Sequence, residues 1–292
     1  MIFEGSAVAI ITPFDDRGEV DYESYEKLID FHLENKTDAI VALGTTAEAS
    51  CLTDDEKFKL IDISIGKIGG KIPLIVGTGS NNSLKAAEFS KKVSAIDGVD
   101  GLLVVTPYYN KASQEGLYEH FKTIAQSSSK PIILYDVPSR TNVNISIETL
   151  KKLAKIENIV GIKDATGDLN FTTAIRKNLG DDFAIYSGND DLVTPLLSLG
   201  GNGVISVLAN IKPRGVHEMV KAGLNGDFKK ASSLQIKYYD LIEAIFNEVN
   251  PIGVKYATSQ LGLCKNNLRL PLTRASKESE DLINKAMEDI DD

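Results

Sequence analysis

The chain has 292 residues, of which 42% are hydrophobic and 25% charged, with 32 Lys plus Arg against 41 Asp plus Glu and a formal charge of −9. Those proportions describe a globular protein and exclude both a disordered chain and a broad nucleic-acid binder, which needs a concentrated basic footprint. Every apolar run is broken well short of the about 18 residues that cross a bilayer, Met1–Ser6 offers no basic stretch before an apolar core, and two cysteines, Cys51 and Cys264, are too few for a disulfide framework, so a reducing cytoplasm is the expected location.

Along the chain, short β-branched runs alternate with stretches of helical period. A strand is expected at Val8–Ile11, then a helix at Ser24–Asn35, where Tyr25, Leu28, Ile29 and His32 share one side. Ala39–Leu43 is followed by helix Lys57–Ile68, Pro73–Val76 by Leu84–Ile96, Gly101–Val105 by Glu115–Ala125, and Ile132–Tyr135 by Ile147–Ile156. Ile159–Lys163, Phe171–Leu179, Phe183–Ser187, Asp191–Leu199 and Gly203–Val207 complete the series. The strand runs are continuously apolar, as strands covered on both faces are. Strand starts recur every roughly 20 to 35 residues, the length of one strand–helix unit. Eight units in sequence predict an α/β fold, a (β/α)8 TIM barrel over residues 1–211. An open doubly wound sheet is the alternative, but its Gly-rich phosphate-binding first turn is absent.

From about Lys212 the strand signal stops. Pro213–Ala222, Phe228–Asn247, Gly253–Gly262 and Lys277–Ile290 read as helices, with Arg269–Thr273 an extended connector because Pro271 resists a helix. Residues 212–292 are therefore expected as a C-terminal helical region packed on the barrel, on an oligomer partner, or on both.

Sites on this architecture gather at the carboxyl ends of the strands. Lys163 closes Ile159-Val160-Gly161-Ile162; in the barrel mouth, desolvation would lower its pKa and free an amine to attack a carbonyl. The alternative is a lysine reaching solvent or paired with Asp164 or Asp136. Tyr135 ends the fifth strand, beside Lys163 if strands five and six are neighbours, and can either relay a proton or simply satisfy its hydroxyl in the core. Arg140 can clamp a carboxylate or make a surface ion pair. Gly44-Thr45-Thr46-Ala47-Glu48 suits a small carboxylate or an ordinary turn. Thr106-Pro107-Tyr108-Tyr109-Asn110 is a pocket wall or an interface anchor, and Gly188 allows either a ligand's close approach or a tight turn. His32, His120 and His217 have no zinc spacing, Asp190-Asp191 suits a helix cap better than a divalent ion, and Cys51 and Cys264 read as buried small hydrophobes. No metal and no nucleotide cofactor is expected.

Taken together, Ala9–Phe14, Gly44–Glu48, Gly77-Thr78-Gly79, Thr106–Asn110, Tyr135–Thr141, Gly161-Ile162-Lys163, Tyr186-Ser187-Gly188, Gly203–Ser206 and Asn250-Pro251 resemble the dihydrodipicolinate synthase family, within the pyruvate-dependent class I aldolases and lyases. The resemblance runs over nearly the whole chain. It implies that Lys163 forms a Schiff base with pyruvate and that Thr45, Tyr109 and Tyr135 relay protons, Tyr109 reaching in from a neighbouring subunit of a homodimer or homotetramer. It implies further that Thr46 contacts the pyruvate carboxylate, that Arg140 receives the carboxylate of aspartate semialdehyde, and that Gly188 and Ile205 line the pocket. The reaction so implied condenses pyruvate with L-aspartate 4-semialdehyde to 4-hydroxy-tetrahydrodipicolinate in lysine and diaminopimelate biosynthesis, with no nucleic acid or membrane partner.

Two positions depart from the family pattern. Ala47 stands where the turn usually has glycine, which costs about 1 kcal/mol if that backbone needs positive φ. Asp136 stands where asparagine is usual, placing a possible charge beside the proton relay. In the family's lysine feedback site, histidine positions correspond to Asp54 and Lys57 and a glutamate to Lys85, while Asn81 and Tyr108 are retained; cation facing cation predicts weak or absent inhibition by lysine. The alternative reading is a sister lyase acting on N-acetylneuraminate or a 2-keto-3-deoxy sugar acid, against which the Thr45-Thr46 pair and Arg140-Thr141 speak; a non-catalytic binding barrel is the remote one.

Overall fold

The computed structural model describes residues 1–290. Eight parallel strands close into a barrel in chain order: β1 Gly5–Ala9, β2 Ala39–Ala42, β3 Leu74–Gly77, β4 Gly101–Val105, β5 Ile132–Asp136, β6 Ile159–Asp164, β7 Ala184–Ser187 and β8 Gly203–Ser206. The helices are α1 Tyr22–Glu34, α2 Asp54–Ile68, α3 Ser83–Ser94, α4 Gln114–Ser127, α5 Pro138–Thr141, α6 Ile147–Leu153, α7 Leu169–Leu179, α8 Val193–Ser198, α9 Pro213–Leu224, α10 Phe228–Lys237, α11 Tyr239–Ile245, α12 Ile252–Gln260 and α13 Lys277–Glu288. The (β/α)8 barrel with further C-terminal helices is therefore the fold.

Alternation along each strand explains why the runs are apolar throughout. Ala7, Ala9, Val41, Ile75, Leu103, Ile133 and Tyr186 point inward and plug the barrel. Their neighbours Val8, Ile40, Val76, Leu102, Leu134 and Ile185 face the helices in a second, larger cluster. Both faces are dry, so neither carries a polar stripe. Closure between β8 and β1 needs a glycine: Gly203 has φ 153°, and a Cβ there would lie 2.0 Å from the Gly5 carbonyl oxygen.

Strand and helix limits shift by a few residues from the sequence reading. The largest strand shift is β1, which begins at Gly5, because Gly5 to Val8 pair with β8. The expected helix Phe228–Asn247 is two helices, α10 and α11, divided at Tyr238, whose fully buried ring lies against Gly215 of α9. The four-residue α5 has no counterpart in the reading. At four residues it covers barely one helical turn, too short to show a repeat of apolar positions, and its local signal is Pro138 at its first position.

The helices after β8 set the approach to the site. α9 packs on β1 and β8, while α11, α12 and α13 pack on one another and α12 touches the turn after β8. In that turn Asn210 receives the Ile11 N–H at 3.1 Å and donates to the Ala9 carbonyl at 2.9 Å, tying it to the end of β1. Among the described residues no helix is long and apolar enough to cross a membrane.

Candidate active site

The strand ends of the barrel surround a cavity of about 420 Å³. Register places Lys163 directly between Tyr135 on β5 and Tyr186 on β7. Lys163 is 5% exposed, and its Nζ lies 4.4 Å from the centre of the Tyr135 ring. Burial pushes its ammonium down to about 8; the Asp190 carboxylate opposes that, and the Arg140 guanidinium adds to it. Among the described residues no carboxylate lies within ion-pair distance of Lys163. Asp164 is occupied elsewhere, accepting from the Thr166 N–H and hydroxyl and from the Thr172 hydroxyl.

Tyr135 is nearly buried, and burial raises its phenol while Arg140 and a hydrogen bond with the Thr45 side chain oppose the rise. Thr45 and Thr46 sit on a single 3-10 turn, Thr45–Ala47, and both line the cavity. The Thr46 hydroxyl receives Asn250 Nδ2 at 3.0 Å. Arg140, carried by α5 at the rim, is exposed and donates Nη2 to the Asn250 carbonyl at 2.8 Å. Gly188 also lines the cavity; a Cβ there would lie 2.6 Å from the Ala165 Cβ, so the close approach of β6 and β7 ends excludes a side chain.

Five expected residues therefore converge on the cavity with Lys163: Tyr135, Thr45, Thr46, Arg140 and Gly188. Two stand apart within this chain. Ile205 is wholly buried in the barrel plug and is not among the cavity's lining residues. Tyr109 is 86% exposed at φ 80°, in the turn after β4, and is likewise outside the lining.

Ala47 carries no backbone strain. It lies within the 3-10 turn, and the positive φ falls on the next residue, Glu48, at 53°. Asp136 lies on the opposite face of β5 from Tyr135. Its Oδ2 accepts from the Ile145 N–H at 2.8 Å, and burial, with Asp164 adding, pushes its carboxyl up to about 7. It thus sits behind the strand, about half protonated near pH 7, and is not a charge in the proton relay. Asp190, expected to cap the next helix, instead reaches β8 and accepts from the Val207 and Leu208 N–H groups at 2.9 Å each. Cys51 and Cys264 are free and half-buried rather than fully buried. His32 and His120 are core residues, burial lowering them to about 3 and about 4, and no His, Cys, Asp and Glu cluster able to hold a metal occurs among the described residues.

Asn250, which the sequence marks only as part of the Asn250-Pro251 block and to which it gives no site role, contacts two of the expected site residues. It joins Thr46 to Arg140 from the segment Phe246–Asn250, which roofs the cavity. An asparagine before a proline signals a turn, and neither that cue nor the matching block says which side chains it meets.

A family model described as the dihydrodipicolinate synthetase family matches residues 2–290. A 4-hydroxy-tetrahydrodipicolinate synthase of Caldicellulosiruptor saccharolyticus is 50% identical over 288 residues, covering 99% of this chain and 97% of its own. The crystal structure of dihydrodipicolinate synthase from Aquifex aeolicus superposes with a TM-score of 0.95 at 46% identity, over 98% of this chain and 97% of that one. The chloride-inhibited dihydrodipicolinate synthase of Acinetobacter baumannii, complexed with pyruvate, superposes with a TM-score of 0.96 at 44% identity, over 99% of both chains. A family model matching residues 2–290, with identities of 46 and 50% over nearly the full length, means that this chain belongs to the dihydrodipicolinate synthetase family.

Proposed function

We propose that the protein condenses pyruvate with L-aspartate 4-semialdehyde through a lysine Schiff base, giving 4-hydroxy-tetrahydrodipicolinate for lysine and diaminopimelate biosynthesis. The observation that carries this reading is Lys163: a buried amine lowered to about 8, without a carboxylate partner among the described residues, at the foot of an open cavity. At pH 7 such an amine is neutral in about one molecule in ten, against fewer than one in a thousand for an ordinary lysine.

Neutral Lys163 attacks the ketone of pyruvate and, with loss of water, forms an iminium that acts as an electron sink. Loss of a methyl proton gives the enamine, whose carbon attacks the aldehyde of the second substrate. The substrate amine then closes on the imine carbon and releases Lys163. Tyr135 and Thr45, both lining the cavity, move protons to and from the oxygen that leaves and the oxygen that forms. Thr46, with the turn around it, holds the keto-acid carboxylate, Gly188 lines the wall, and Arg140 at the rim receives the aldehyde's carboxylate. Tyr109, exposed on its turn, completes the relay of an adjacent subunit in a homodimer or homotetramer, and Ile205 supports the pocket floor from the plug. Within the C-terminal helical region, the segment Phe246–Asn250 acts as the roof of the site, and the protein works in the cytoplasm.

Borohydride reduction with pyruvate, followed by intact mass and peptide mapping, tests the reading. One reduced-pyruvate adduct on Lys163 is expected, discharged before reduction by aspartate semialdehyde in preference to sugar-derived aldehydes. A folded protein that takes no adduct would overturn the assignment, and an adduct on another lysine would relocate the site.

A further inference from the structure

The turn Gly44–Glu48 ends on a residue in the left-handed region, Glu48, at φ 53° and ψ 36°. A non-glycine residue there costs roughly 1 kcal/mol and persists only where its surroundings hold it. Glu48 is 3% exposed and has two anchors. One carboxylate oxygen accepts from Lys255 Nζ on α12, and Lys255 is fully buried. The other accepts the Arg269 N–H at 2.9 Å. Arg269 is itself fixed, by Glu56 at 2.5 Å and by the Gly18 and Cys51 carbonyls at 2.8 and 2.9 Å. Phe14 lies against both cations, with Lys255 Nζ at 4.3 Å and the Arg269 guanidinium carbon at 4.6 Å from the ring centre.

The start of α12 grips the same turn a second time. Asn250, just before the helix, donates to the Thr46 hydroxyl, and Lys255 within it holds Glu48. One rigid helix start therefore sets both the middle and the end of the turn that presents Thr45 and Thr46. Neither Glu48 nor Lys255 is among the residues lining the cavity, so neither is a catalytic residue. A buried ion pair adds little net stability over an apolar pair of similar volume, but it specifies geometry.

We infer that the buried Glu48–Lys255 pair is a positioning device for the keto-acid turn, holding the Thr46 hydroxyl where the pyruvate carboxylate binds. This rests on the reading of Thr46 as a pyruvate contact.

The test is steady-state kinetics and thermal melting of the full-length double variant Glu48→Gln/Lys255→Met, with Glu48→Gln and Thr46→Val alongside. Replacing both partners leaves no lone buried charge, so the double variant folds with a Tm within a few degrees of the parent. Its KM for pyruvate rises about tenfold, while kcat stays within about threefold and KM for the aldehyde within about twofold. Glu48→Gln keeps an acceptor for Lys255 but turns an amide N–H toward the Arg269 N–H, so it raises the pyruvate KM by about threefold. If the double variant does not fold, Glu48→Gln decides alone. An unchanged pyruvate KM in either folded variant, or a collapse of Tm, kcat and both KM values together, overturns the inference. Thr46→Val with the parental pyruvate KM removes the underlying reading and the inference with it; Thr46→Val impaired while the double variant is not removes the positioning role alone.

Discussion

Lys163 and Lys255 are both buried, at 5% and 0% exposure, and their surroundings differ in one decisive respect. Lys255 has a carboxylate in contact and an aromatic ring beneath it; Lys163 has the Tyr135 ring but no carboxylate within ion-pair reach among the described residues. Burial lowers the proton affinity of both amines. For Lys255 the contacting carboxylate opposes that loss only in part, and the pair acts as a strut. For Lys163 the nearest acidic influence, Asp190, is held by two backbone N–H groups instead, which leaves the amine without an ion partner for the nucleophilic role proposed above. The same side chain in the same protein is paired or left without an ion partner according to where one carboxylate sits.

That comparison predicts opposite costs for one substitution. Lys163→Met lowers turnover by at least about a thousandfold and abolishes the reducible adduct, yet leaves the denaturation midpoint unchanged or raised, since it removes an amine that is buried without an ion partner. Lys255→Met strands the Glu48 carboxylate and costs on the order of 3–5 kcal/mol in urea unfolding. Equal destabilisation by the two would break the comparison. Arg140→Ala lowers kcat/KM for the aldehyde by roughly 10- to 100-fold with borohydride trapping of pyruvate retained, because the arginine lies at the rim and not beside the amine; loss of trapping would place it in the first half-reaction.

Asp136 sharpens the point from the acidic side. Its folded carboxyl titrates near 7, above its ordinary 3.8, so the native state keeps a proton that the unfolded chain has released. The stability it contributes is present below about 3.8, is lost as pH rises through about 7, and is flat above that. Asp136→Asn carries no such proton. Its Tm should match the parent's near pH 4 and exceed it by several degrees at pH 8, an advantage on the order of 2–4 kcal/mol. Parallel pH profiles for the two proteins would rule this out. The smallest effect concerns lysine. The cleft of about 730 Å³ that adjoins the site is lined by Lys57, Lys85 and Lys92 beside Asp54 and Glu88, and sub-millimolar lysine should leave the rate unchanged. A sharp fall would show that the acidic pair outweighs the cations.

Much of the site was legible because strand-end positions in a barrel are marked by where an apolar run stops. Lys163, Tyr135 and the Gly44–Glu48 turn each close or follow such a run, and β5–β6 pairing brings the first two together. The Ala47 question shows the limit: sequence flagged a glycine position, but the left-handed residue is Glu48, a matter of how the turn is held. Arg140 was visible as a residue and invisible as a partner of Asn250, 110 positions away.

The eight-unit alternation and the family were determined by sequence alone, because the period of apolar residues reports which faces are dry and the strand-end motifs are local strings. Tertiary structure decided which buried charges meet. Glu48 and Lys255 are 207 positions apart, and Asn250 and Thr46 are 204 apart. No periodicity encodes such pairings, because they depend on how the C-terminal helices settle over the barrel mouth, and that packing is what brings Lys255 to Glu48.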